Sequence, residues 1–118
     1  MTDETAETTG TIDYGAFRKV DMRVGTILTC EKNEKAKKPA YVLTIDFGEL
    51  GVKTSSAQIV DLYPPEDLVG RQIIGVVNFP SKRIAGIASE ALVMGVDGDG
   101  GVALLGIDRK VKNGVRVY

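Results

Sequence analysis

Apolar and polar residues alternate along most of this chain with the period of strands rather than helices. Val20, Met22 and Val24 fall on one face and Asp21 and Arg23 on the other, until Gly25 interrupts and the apolar phase resumes at Ile27. A glycine at such a break predicts a bulge or sharp bend, which would let one long first strand serve both halves of a small barrel. Residues 41–47 alternate cleanly, with Tyr41, Leu43, Ile45 and Phe47 pointing one way and Val42, Thr44 and Asp46 the other. Gly48 to Gly51 reads as a turn into a third strand over 52–59, unusually polar with Lys53, Thr54, Ser55, Ser56 and Gln58. Across 64–70, prolines are followed by two acids and a closing glycine, the pattern of a short helix. Ile73, Ile74, Val76, Val77 and Phe79 make 71–79 a strand apolar on both faces. A loop over 80–89 then leads to strands at 91–96 and 102–107, separated by a turn at 97–101. Asn113-Gly114 signals a further turn before 115–118.

Three strands, a short helix and two or more further strands define an all-β chain. A five-stranded Greek-key barrel with its helix between strands three and four is the oligonucleotide/oligosaccharide-binding (OB) arrangement. With 118 residues, 43% hydrophobic and 26% charged, the chain is sized for one soluble domain with a single core. Residues 1–11 form an expected disordered acidic tail and 12–118 the barrel with its short extensions. Asp3, Glu4, Glu7 and Asp13 precede any Lys or Arg, so the remainder carries 15 basic against 12 acidic residues, a body of +3. That balance suits an anionic partner without the strong basicity of many nucleic-acid binders. The start has neither the basic nor the apolar region of a secretion signal. No apolar run reaches membrane-spanning length, so membrane insertion is not expected.

Histidine is absent and Cys30 is the sole cysteine. The usual triads, zinc hydrolase sites and internal disulfides are therefore excluded, and a reducing cytoplasm is the expected compartment. Cys30 reads as an apolar filler near a strand end. The stretch 48–54 superficially resembles a phosphate-binding loop, but it lacks glycine before Lys53 and a strand follows where a helix should begin. Asp97 and Asp99 open like a calcium loop, yet Gly101 offers no side-chain oxygen at the fifth position and Val102 stands where the sixth needs glycine. A hairpin turn explains them better. Asp21 and Arg23 read as an exposed ion pair. No acid, base or metal set converges, so binding rather than catalysis is expected, with no cofactor.

Four stretches carry a family resemblance: 17–27 (FRKVDMRVGTI), 38–48 (KPAYVLTIDFG), 55–59 (SSAQI) and 77–86 (VNFPSKRIAG). The first two resemble the opening strands of transfer-RNA-binding domains of the OB fold, which occur free-standing or appended to aminoacyl-tRNA synthetases. The last two resemble, more narrowly, the free-standing CsaA branch. The likeness spans residues 12–118. It implies a homodimer that binds tRNA and also acts as an export-related chaperone towards unfolded or export-destined polypeptides. It further implies that Asn78, Gly86 and Ser89 occupy positions of the family's nucleic-acid-binding motif. Ala85 stands where arginine often precedes that glycine, and Leu92 where methionine often follows the serine; both departures favour the CsaA branch.

The residues themselves agree in part. Lys32, Lys35, Lys37 and Lys38 lie in the loop joining the first two strands, a site this fold uses for nucleic acid. Lys53, Ser55 and Gln58 would present donors from the third strand, with Lys82 and Arg83 in the loop beside Asn78. Lysines would neutralise phosphates, while Asn78, Gln58 and the serines would reach sugars or bases. The lysine run fits equally a solvated hairpin loop tempered by Glu31 and Glu34. Three Phe and four Tyr are the only aromatics, and Tyr41, Phe47 and Phe79 read as buried. Few rings remain for stacking bases, which favours a reader of RNA shape over a general single-strand binder. A peptide-binding export chaperone with incidental RNA binding is the alternative. The flanks, 12–19 and 108–118, are expected to support a two-fold dimer.

Overall fold

A computed structural model describes residues 10–118; most of the expected acidic tail, residues 1–9, lies outside the described residues. The strand at Tyr41–Asp46 (β2) alternates as its sequence demands, with Tyr41, Leu43 and Ile45 buried. It lies between Met22–Lys32 (β1) and Val52–Ala57 (β3), antiparallel to both. The core is built from Ile27, Leu43, Ile45, Phe47, Leu68 and Ile73, all sealed from solvent. Each such side chain contributes about 1.5–3 kcal/mol of transfer free energy.

β1 does serve two partners. Residues 22–26 pair with Gln72–Val76 (β4) and residues 26–32 with β2. The bulge that permits this falls between Ile27 and Thr29, with Leu28 extruded, not at Gly25. Gly25 answers to a different constraint. A Cβ there would lie 2.7 Å from Ile45 Cγ2 and 2.8 Å from two ring carbons of Phe47. The phase break thus marks where an aromatic ring crosses the strand closely, the other physical reason for a strand glycine.

The main sheet runs β3-β2-β1-β4-β7, with β7 at Leu92–Val93. The helix expected over 64–70 is one turn, Pro65–Leu68 (α2), between β3 and β4, and it buries Leu68. The free edge of β3 meets residues 89–91, which nearly closes the barrel: Glu90 N–H donates to Thr54 O at 2.7 Å. This is the five-stranded OB-type barrel read from the strand order.

Three local expectations change. Residues 91–96 do not form one strand. They split into β7 and Gly95–Gly98 (β8), which pairs with Gly101–Leu104 (β9) as a separate hairpin around Asp99-Gly100. The loop expected over 80–89 contains a second hairpin, Lys82–Ile84 (β5) with Ile87–Ser89 (β6). Phe79, expected inside, is 56% exposed, because β4 ends at Val76 and alternation stops organising the chain there.

The flanks are ordered. A short helix, Tyr14–Arg18 (α1), precedes β1, and the C-terminal segment pairs with the half of β1 that β2 leaves open. Gly114 N–H donates to Val24 O at 2.7 Å, Val24 N–H to Val115 O at 3.0 Å, and Val117 N–H to Met22 O at 2.9 Å. Asp21 and Arg23 do pair, at 2.6 Å, but both are about three-quarters shielded and Arg116 joins them at 3.7 Å. The pair expected at the surface is thus part of an anchor for the flanks. Among the described residues no helix is long and apolar enough to cross a membrane.

Candidate nucleic-acid interface

The loop between β1 and β2 is tied by its own asparagine. Asn33 N–H donates to Ala40 O at 2.9 Å, and its carbonyl accepts the Ala36 amide at 3.2 Å. Its side-chain Oδ1 accepts the Lys35 amide at 3.1 Å, the i to i+2 bond that asparagine makes readily in turns. Lys35, Lys37 and Lys38 all stand exposed on this loop.

The β5–β6 hairpin turns through Ala85 (φ 47°) and Gly86 (φ 84°), the positive pair of a type I′ turn. Alanine is an uncommon occupant of that conformation, which costs an L-residue about 1–2 kcal/mol. Lys35 lies across this turn: a Cβ on Gly86 would sit 3.2 Å from Lys35 Cδ and 3.6 Å from its Nζ. Arg83 Nη1 meanwhile donates to Gly86 O at 2.9 Å. Two cations from separate segments therefore gather at one backbone turn that carries no side chain at Gly86. Such a junction is open to an anionic oxygen from solvent.

Other candidate residues lie elsewhere. Lys82 pairs with Ser89, whose Oγ accepts Ser56 N–H at 3.1 Å, so Lys82 shares the hairpin face turned towards β3 and Arg83 has the opposite one. Lys53 and Ser55 oppose Ile45 and Leu43 and so occupy the inner face of the barrel wall. Ser55 is 1% exposed and its hydroxyl donates to Ala91 O at 2.8 Å. It closes the barrel, and the expected RNA donor is buried because it falls on the inward phase of β3. Lys53, near the strand's start, is only half-buried. Gln58 lies beyond β3 and lines, with Lys38, Asp61 and Asp97, a groove of about 470 Å³. Asn78 is committed to the flank: Nδ2 donates to Lys19 O at 2.7 Å and Oδ1 accepts Asp21 N–H at 3.0 Å.

Sequence reasoning missed two contributors. Asn33 organises the lysine loop, and its spacing two residues before Lys35 was a readable turn signal. Glu90 Oε1 accepts Thr54 N–H at 2.9 Å on the edge of β3, which no local pattern announces. Two protonation states are displaced. Burial, then Glu31, pushes the Cys30 thiol up from 9.0 to about 11, and burial also raises Tyr41. Both groups are thereby held neutral. Among the described residues no three Cys, Asp or Glu side chains cluster as a metal site.

Residues 22–116 match a protein-family model described as "Putative tRNA binding domain". The methionine–tRNA ligase of Methanococcus vannielii is 34% identical over 120 residues, covering 98% of this chain but 18% of the ligase. The chain thus spans less than a fifth of that relative. The crystal structure of chaperone CsaA from Bacillus anthracis is 47% identical with a TM-score of 0.86, over 92% of this chain and 100% of CsaA. A protein related to methionyl-tRNA synthetase from Pyrococcus horikoshii is 33% identical with a TM-score of 0.82, over 93% of this chain and all of that one.

Proposed function

The chain belongs to the tRNA-binding domain family, and from that premise we propose that it binds tRNA through the rim formed by the 33–40 loop and the β5–β6 hairpin, without making or breaking a bond. The observation that carries this reading is the meeting of Lys35 and Arg83 at Gly86. Exposed cations at a bare turn suit phosphate, and the few exposed rings suit recognition of shape and backbone. Lys37 extends the same positive rim, Lys82 and Ser89 line the opposite, β3-facing side of the hairpin, and Lys38 and Gln58 flank the groove beside the loop. A tRNA partner assigns the work to the cytoplasm. The test is a double charge reversal, Lys35→Glu with Arg83→Glu, read as tRNA affinity against salt. Loss of two phosphate contacts should flatten the log–log slope by about 1.4–1.8. Unchanged affinity and slope would refute the site.

The functional unit is a homodimer. Tyr14, Val20 and Tyr118 are 63%, 39% and 97% exposed around a groove of about 300 Å³ that Phe17 and Val117 also line. Covering these rings with a second copy would double the cationic surface presented to one RNA. Tyr118→Asp should shift the mass measured by light scattering towards the monomer.

A second reading rests on the likeness to chaperone CsaA over nearly the whole chain. Here the protein shields unfolded or export-destined polypeptides, with RNA binding incidental. Suppression of aggregation that persists at high salt while tRNA binding fades would favour it, since apolar contact is little screened.

A further inference from the structure

Asn33 is 9% exposed and its Nδ2 has no hydrogen-bond partner among the described residues. A buried donor without an acceptor is destabilising, and native structures carry few of them. The other half of the same carboxamide compensates by fixing the chain around it. Oδ1 holds the Lys35 amide, while the Asn33 main chain ties Ala36 on one side and Ala40 on the other. The consequence is positional. Lys35 leaves this pinned turn and its side chain crosses to Gly86 in the neighbouring hairpin, where Arg83 is already fastened.

We infer that Asn33 is a positioning residue for phosphate capture: it holds Lys35 at the Ala85–Gly86 turn, so that loop and hairpin act as one preformed clasp. Asn33 need not touch the ligand. Its effect is to hold Lys35 where the contact forms; on a loose loop the long side chain would leave the turn, and the contact would not be made. The inference rests on the phosphate-binding reading of this rim and deepens it. It predicts that Asn33 and Lys35 are one unit, so that removing either removes the same contact.

The test is a double-mutant cycle on the full chain, with tRNA affinity measured from 0.05 to 0.4 M KCl for Asn33→Ala, Lys35→Ala and the pair. One phosphate contact is worth about five- to eightfold in affinity at 0.1 M salt, from a slope of 0.7–0.9 per phosphate. Each single variant should lose that factor and flatten the slope by that amount, and the double variant should lose no more than either. Asn33→Ser, whose hydroxyl can accept the same amide, should restore affinity, slope and protection of the Lys35 amide from hydrogen exchange. A purely structural Asn33 would lower the melting temperature without coupling to Lys35. Multiplying losses, or an unchanged slope in Asn33→Ala, would overturn the inference. Repeating the cycle with inorganic polyphosphate separates the two readings. Coupling seen with polyphosphate but no binding of tRNA would sink the RNA reading alone, and additive losses on tRNA would sink this inference alone.

Discussion

Ser55 separates a ligand-facing third strand from a barrel-closing one. Replacing it with alanine removes the hydroxyl that donates to Ala91 O and leaves that carbonyl without its partner. Ser55 is 1% and Ala91 6% exposed, so water cannot easily take the vacated role. Orphaning one buried partner costs about 1–3 kcal/mol, more than the net worth of the bond, because the carbonyl bears its full desolvation penalty. For 118 residues, an unfolding entropy of about 2.1 cal/mol/K per residue converts this to a melting temperature lower by roughly 4–12 °C. Scanning calorimetry reads that shift, and fluorescence anisotropy on labelled tRNA, well below the transition, reads affinity. The expected pair of results is a clear thermal loss with unchanged affinity and salt slope. An unaltered melting temperature with weakened RNA binding would show that Ser55 faces the ligand, and the placement argued from the inward phase of β3 would fall.

Gly25→Ala should destabilise by about 3 kcal/mol, since its Cβ would sit 2.7 Å from Ile45 in a packed core; a midpoint in urea within error of wild type would contradict the close approach of Phe47. Ala85→Asn should raise the melting temperature by about 2–4 °C by relieving the positive φ at the hairpin turn, and no gain would argue against that backbone conformation. Cys30 should alkylate at pH 8 about a hundredfold more slowly than an ordinary thiol, because its pKa is pushed up from 9.0 to about 11. The same shift means that the thiol's contribution to stability is whole below pH 9 and is lost as pH climbs through 11. Melting curves of Cys30→Ala, which should lack that part of the alkaline decline, check the sign.

The barrel was legible wherever one face of a strand is buried and the other is not. Tyr41, Leu43, Ile45 and Phe47 announce β2 because period-two burial leaves no other way to hide them. The β5–β6 hairpin was not legible. Its strands are three residues long, too short for a period, and its turn is Ala-Gly where Asn-Gly or Asp-Gly would have signalled. The site was half legible for a related reason. Loop lysines are exposed by default, so Lys35, Lys37 and Lys38 could be nominated, but residue type alone does not say which faces another segment. Asn78 and Ser55 carry groups suited to RNA and use them on the protein's own backbone instead, through contacts 57 to 59 and 36 residues away in sequence. Such distant closure is invisible to any local pattern.

β1 bonds to β4, to β2 on both sides of its bulge, and to the returning C-terminal segment. One strand thus stands at the centre of the main sheet, with β2 and β3 on one side of it and β4 and β7 on the other. Fraying β1 would therefore loosen β2, β4 and the C-terminal segment together, and with β2 the base of the cationic loop.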